Sequence, residues 1–260
     1  MSNNNKSRIP PHLPIYIISL LLIVLTSCIL SPIYMQVGND IVFMYTVLPI
    51  ILNYAILLFE TMYLALIFAG VAYSAYAINK GTEKKIPNII YPLSLVFIKH
   101  VLNLLVSSII DSYIDVMFDL PVTIMLMFVD ALIIAVVCII ANRKTKLHFA
   151  RVKKIMKAAK YLDTADYDDS LDIFPFRGFF NLKNPIIISI ISGAIITTVS
   201  MILQRLYADI FVLGAPVNFF EIAEMFMAYL ADILLGLAGY ATSYLAATYI
   251  FLRVENKNEN

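Results

Sequence analysis

The sequence predicts an all-α polytopic membrane protein, a six-helix transmembrane bundle with one cytoplasmic amphipathic helix. Three observations carry that expectation. Of the 260 residues, 61% are hydrophobic and 14% charged, with a mean hydropathy of +0.84, whereas a soluble domain carries about 25% charged residues. Apolar stretches long enough to cross a hydrocarbon core of about 30 Å recur along the chain. Lysine and arginine gather in alternate connections, the pattern that sets orientation in a membrane.

Residues 1–14 form a polar tail with Lys6, Arg8 and three prolines, expected to be disordered. The first span runs from Ile15 to about Tyr34. Its start resembles a secretory signal, a basic segment followed by a short apolar run. Leu25-Thr26-Ser27-Cys28 also has the form of a bacterial lipoprotein cleavage box, which would place a lipid on Cys28. Apolar sequence continues past Cys28 and the remainder spans the membrane several times, so an uncut helix is the expectation. Cys28 and Cys138 fall near opposite ends of their helices, so neither a disulfide nor a metal framework is implied.

The stretch 40–78 is too long for one simple crossing, since at about 1.5 Å per residue it would reach about 58 Å. Pro49 marks a start or kink, leaving a second span from Ile51 to Ile78 that contains Glu60. A short turn follows, with Lys80, Lys84 and Lys85. Pro87–Ile110 is the third span and carries Lys99, His100 and Asn103; an acidic turn at 111–119 leads to the fourth, Pro121–Ala141, with Asp130 near its middle. Residues 15–141 thus hold four transmembrane helices.

The 142–184 segment is the one sizeable connection outside the membrane. Phe149, Val152, Ile155, Met156, Ala159 and Leu162 recur at helical spacing, and Arg151, Lys153, Lys154, Lys157 and Lys160 cover the remaining turn. A basic amphipathic helix of this kind is expected to lie on an anionic leaflet, or to dock a cytosolic partner. The aspartates at 163–172 lack the glycine and terminal glutamate of a calcium loop. Phe174, Phe176, Phe179 and Phe180 around Arg177 read as an interfacial elbow.

Residues 185–253 read as a C-terminal transmembrane hairpin and 254–260 as a polar tail. Asn184-Pro185 opens its first helix, and Asn218 with Glu221 three residues on forms a capping box for the second. This hairpin carries Arg205 and Asp209 on one helix and Glu221, Glu224 and Asp232 on the other, which makes it the expected organising element.

Seventeen of the nineteen Lys and Arg lie in the N-terminal tail, the 79–85 turn, the 142–184 loop and the C-terminal end. The other two, Lys99 and Arg205, are within spans, and the three opposite loops have none. The expected location is the cytoplasmic membrane, multi-pass, with both termini cytoplasmic. An Ile-, Asn-, Lys- and Tyr-rich composition points to an AT-rich bacterium.

Ionisable groups in hydrocarbon are costly, so they face a protein interior or a wet cavity and find partners. Helical phase places His100, Asn103, Ser107 and Asp111 on one stripe, with Lys99 at its edge. Asn53, Glu60 and Ser74 share a face of the second span. Asp232 has Ala228 and Gly236 one turn to either side, small neighbours that allow close helix approach.

Two functions are open. In one, Glu60, Lys99, His100, Asn103, Asp130, Arg205, Asp209, Glu224 and Asp232 line a small-solute or ion path of a transporter or its membrane subunit. In the other, the same charges pair to hold a non-catalytic scaffold in register: Lys99 with Glu60 or Asp130, Arg205 with Asp209 and with Glu224 or Asp232. Neither reading calls for a cofactor, a metal or nucleic acid; the lipid bilayer is the first partner. Enzyme signatures are missing: no phosphate-binding loop, HExxH or GxSxG is present. Asp130 and Asp232 lack the Gly-x-Gly-Asp context of intramembrane aspartyl proteases.

Overall fold

The computed structural model describes residues 10, 12–39, 46–80, 87–110, 113–161, 187–188, 190–196, 198–199 and 219–259. Among these are six α-helices and no strand: α1 (Leu13–Leu25), α2 (Ser31–Asn39), α3 (Leu48–Lys80), α4 (Pro87–Ile110), α5 (Tyr113–Tyr161) and α6 (Phe219–Glu259). The described residues between 187 and 199 are helical as well. Five stretches are long and apolar enough to cross a membrane: Leu13–Val37, Leu48–Asn79, Ile89–Ile109, Leu120–Arg151 and Leu230–Phe251. Helices are the expected answer in hydrocarbon, where each backbone donor and acceptor must be satisfied within its own segment.

The first span joins α1 to α2 through a π-helical turn, Thr26–Leu30. Its cause lies just beyond. Pro32 has no amide hydrogen, and its ring collides with the carbonyl four residues back in a regular α-helix. Widening the preceding turn relieves that crowding, and the Ser31 amide bonds to Thr26 O, five residues back. Thr26 Oγ1 donates to Leu22 O at 2.7 Å, so the hydroxyl is satisfied inside the helix. Cys28 sits within this turn and is exposed.

The bundle is built around α3, which packs against α1, α5 and α6, with smaller contacts to α4. Every residue from 65 to 77 is buried. Such enclosure requires a helix that is apolar all round and narrow enough for neighbours to close in. Ala65, Ala69, Gly70, Ala72, Ser74, Ala75 and Ala77 supply the narrowness. A methyl group at Gly70 would stand 2.6 Å from the Tyr16 ring of α1, and one at Gly193 would stand 2.5 Å from the Phe68 ring. The sequence directs attention to the 184–253 hairpin by its charges; the described packing centres on α3, because charge density says nothing about which helix is surrounded.

Helices α3 and α6 run parallel. Ser243 Oγ donates to Met62 O at 3.0 Å, and Tyr73 Oη donates to Thr248 Oγ1 at 2.9 Å. Gly236, Gly239, Ser243 and Ala247 lie on the buried face of α6, and a methyl group at Gly239 would run into Thr61 and press on the Leu58 carbonyl. These small residues at one-turn spacing let the two backbones approach.

Aromatic contacts gather one set of helix ends. His12 and Tyr16 meet Tyr91 at ring distances of 6.4 and 5.8 Å, Tyr73 stacks on Phe251 at 4.2 Å, and Tyr76 packs on Phe149 at 5.2 Å. The start of α1, the end of α3, the start of α4 and the later turns of α5 and α6 therefore share one end. Arg143, Lys144, Lys146, Arg151 and Arg253 are exposed in that region.

Two boundaries differ from the sequence reading. Helix α5 begins at Tyr113, carries Pro121 inside it, and continues unbroken through residue 142 to Tyr161. Its 49 residues measure about 74 Å at the α-helical rise, so the basic stretch is an extension of the fourth span and not a separate helix. No glycine lies between Asp130 and Tyr161 to stop it; Thr145 is buried with its hydroxyl on Ala141 O of the same helix, and Phe149 packs on Tyr76 of α3. Likewise α6 continues to Glu259, through the stretch read as a tail.

Candidate functional site

Three of the sequence-derived residues converge between α4 and α5. Lys99 is the central residue of the apolar Ile89–Ile109 stretch, and His100 follows it. Lys99 Nζ donates to Asp130 Oδ2 at 3.2 Å, and His100 Nε2 lies 3.0 Å from the same oxygen. An ionised Asp130 accepts only, so the imidazole hydrogen resides on Nε2 in that state. Adjacent residues on a helix point about 100° apart. They reach one carboxylate because Asp130 sits in the seam between the helices and the long Lys99 chain bends toward it. The His100 side chain is 6% exposed; those of Lys99 and Asp130 are 17% and 21% exposed.

The third helix at the site is α3. Lys99 Nζ stands 5.9 Å from the centroid of the Tyr63 ring, at the outer limit of a cation–π contact. Tyr63 is buried, and its hydroxyl has no hydrogen-bond partner of normal geometry among the described residues. It remains within electrostatic reach of Lys99 and Glu60. Glu60, one turn before Tyr63, is half-buried and within electrostatic reach of Lys99.

The other sequence-derived residues are placed as follows. Asn103 is half-buried on α4, one turn beyond Lys99 and His100. Asp232 is half-buried on α6, seven residues before Gly239, about 10 Å along the helix from the Thr61 contact. Glu224 lies in the helical backbone of α6, with its side chain outside the described set. Arg205 and Asp209 lie outside the described residues, as do Glu221's side chain and the 211–217 turn. Asn53, Glu60 and Ser74 lie along one continuous helix whose enclosure rises sharply along its length: Asn53 is exposed, Glu60 half-buried and Ser74 fully buried.

Tyr63 escaped the sequence reading because it is one of sixteen tyrosines in an apolar chain. The available signal was its position three residues after Glu60, on the same helix face. Among the described residues no group of three or more His, Cys, Asp or Glu has the geometry to hold a metal ion.

The fold and this site define a class, a multi-pass helical membrane protein with an ionisable cluster inside its bundle. Comparison with family models, with curated proteins and with solved structures finds no match.

Proposed function

We propose that the chain is a small-solute or ion transporter of the cytoplasmic membrane, or the membrane subunit of one. It has six spans, the fifth formed from the 185–210 segment, with both termini and residues 142–184 on the cytoplasmic side. Within this reading the Lys99–Asp130–His100 cluster is the charged centre of the path. One observation carries it: three ionisable side chains from two spans meet at mid-span, where ionisable groups mark ion and solute routes. The basic extension of α5 faces the inner leaflet's headgroups and offers a cytosolic partner a docking arm.

A second reading has an observation in its favour. Asp130 is answered by both Lys99 and His100, the closed pairing expected of a brace in a non-catalytic scaffold.

Flux separates the two. Purified full-length chain in proteoliposomes is tested for uptake of labelled ions, amino acids and sugars, with Asp130→Asn, Asp232→Asn and Lys99→Ala beside it. Transport requires uptake by the wild type that the variants lose while they remain folded. Variants that fail to fold, together with a wild type that moves nothing, leave the scaffold standing. Orientation is tested on a cysteine-free background with single cysteines at Lys144 and Thr46. A membrane-impermeant maleimide added to intact cells should label the Thr46→Cys variant and spare the Lys144→Cys variant; the reverse outcome inverts the topology.

A further inference from the structure

We propose that the end of α5 beyond Arg151 is a docking arm for an acidic amphipathic helix of a soluble cytosolic protein. The proposal rests on the cytoplasmic placement of residues 142–184 and names the partner's chemistry.

Reach separates a protein partner from the membrane. Asp130 meets Lys99, the central residue of its span, and so marks mid-depth. From there to Tyr161 the unbroken helix rises about 46 Å. The hydrocarbon and headgroups of one leaflet take up about 20–22 Å of that, and a tilt of about 20° shortens the rise by only about 3 Å. No glycine or proline lies between Asp130 and Tyr161 to fold the helix down onto the leaflet. Arg143, Lys144 and Lys146, all exposed, fall at headgroup depth. Positions 153–160 stand about 10 Å or more past the headgroups. Salt screens charges over about 8 Å, so the leaflet does not answer the lysines there.

Charge defines the sign of the partner. Residues 143–161 carry eight Lys and Arg and no Asp or Glu. Lys157 has Lys153, Lys154 and Lys160 three or four residues away, spacings at which like charges destabilise a helix. Carboxylates laid along the arm relieve that repulsion. A second copy of the arm would add to it, which disfavours pairing of two chains through this stretch.

The apolar stripe defines the partner's shape. Val152, Ile155, Met156 and Ala159 recur at helical spacing in line with Phe149. Phe149 packs on Tyr76 of α3. Helix α3 ends four residues after Tyr76, at Lys80, whereas α5 runs on for twelve residues after Phe149. The stripe therefore outruns its neighbour in the bundle by eight residues. An amphipathic helix continuing the line of α3 would set its apolar face on the stripe and its carboxylates against the flanking lysines. A nucleic acid would use the charge and leave the stripe uncovered.

Two measurements test this on the full-length chain in nanodiscs, where both faces are open. The first probe is a fluorescent peptide of about 21 residues, leucine at the a and d positions and glutamate elsewhere. In discs of neutral phosphatidylcholine the wild type should raise its anisotropy. Lys153→Gln/Lys154→Gln/Lys157→Gln/Lys160→Gln should weaken binding about tenfold. Ile155→Gln/Met156→Gln should do the same with the salt dependence retained. A wild type that does not bind overturns the proposal, as does unchanged binding by either variant, or competition by polyuridylate as effective as that by unlabelled peptide. The second measurement is energy transfer to an acceptor on lipid headgroups from a donor dye on Lys144→Cys or Lys157→Cys, with Cys28 and Cys138 replaced by serine. The two positions are about 20 Å apart along the helix. Transfer should be weaker from position 157, in neutral discs and in discs containing phosphatidylglycerol alike. Equal transfer from both positions, in either lipid, lays the arm on the leaflet and overturns the proposal. Flux enters neither readout, so a chain that moves no solute leaves the arm standing. Labelling of Lys144→Cys from outside intact cells overturns it, because the arm then meets no cytosol.

Discussion

The α3–α6 seam and the α4–α5 seam hold helices together by opposite means. On the first, Gly236, Gly239, Ser243 and Ala247 bring two parallel backbones close, and the polar contacts are short neutral bonds such as Ser243 to Met62 O. On the second, long side chains bridge antiparallel helices, and the contact is ionic, Lys99 and His100 on Asp130. Lipid tails are as apolar as leucine, so helices in a membrane gain little from hydrophobic burial against each other and depend on packing and polar contact. The close seam uses the first and is indifferent to pH. The charged seam uses the second and holds a group that can change state. A protein that needed only rigidity had the α3–α6 solution available and did not repeat it at α4–α5.

The largest expected effect comes from breaking the charged seam on one side. Asp130→Asn takes from the Lys99 ammonium the one carboxylate it is bonded to among the described residues, leaving Glu60 within electrostatic reach but unbonded to it. Removing one partner of a buried pair costs about 3–5 kcal/mol, and partial exposure of both groups places this one near about 3 kcal/mol. Unfolding of the micelle-bound protein by SDS, followed by far-ultraviolet circular dichroism, measures it. The double variant Lys99→Met/Asp130→Asn should recover most of that loss, since it removes both charges and nearly keeps both side-chain volumes. A double variant as unstable as Asp130→Asn alone would show that the pair is not what joins these helices.

The close seam should be broken by bulk. A side chain at Gly239 collides with Thr61 and presses on the Leu58 carbonyl, so Gly239→Val should cost about 2–3 kcal/mol in the same assay, the upper range for overpacking. Gly70→Ala is expected to cost about 1 kcal/mol, because the group it meets is a tyrosine ring that can shift and not a backbone. Should Gly239→Val prove neutral, the backbones are not in contact and the contrast between the seams fails.

These seams were unequally legible in the sequence. Helix positions were readable where proline and charge punctuate apolar runs: α4 spans Pro87–Ile110 as expected, and α3 begins one residue before Pro49. The helix that carries the fourth span runs on past the expected span end at Ala141, since the switch from apolar to basic residues at Asn142 marks a change of surroundings while nothing in the backbone chemistry stops a helix there. The Lys99–Asp130 contact was half legible: a lone mid-span cation has few possible counter-charges, which left Glu60 or Asp130, and the structure bonds it to Asp130. Tyr63 and the burial of α3 were not, for both depend on which helices lie beside which, and hydropathy is blind to neighbours when every helix is apolar. Only the alanine and glycine content of residues 65–77 hinted that α3 lies inside.

The smallest effect tests the neutral bonds. Ser243→Ala removes the hydroxyl that donates to Met62 O, and polar contacts between membrane helices average about 0.6 kcal/mol. A loss near that value is expected, for two reasons. Met62 O lies inside α3, so its regular helical bond remains when Ser243 is gone, and a carbonyl has a second lone pair. Alanine at 243 also keeps the small contact that lets α6 approach. The bond is therefore an addition to a seam already set by shape. If Ser243→Ala cost as much as Gly239→Val, hydrogen bonding and not close packing would hold α6 to α3, and the two seams would differ only in the charge of their polar groups.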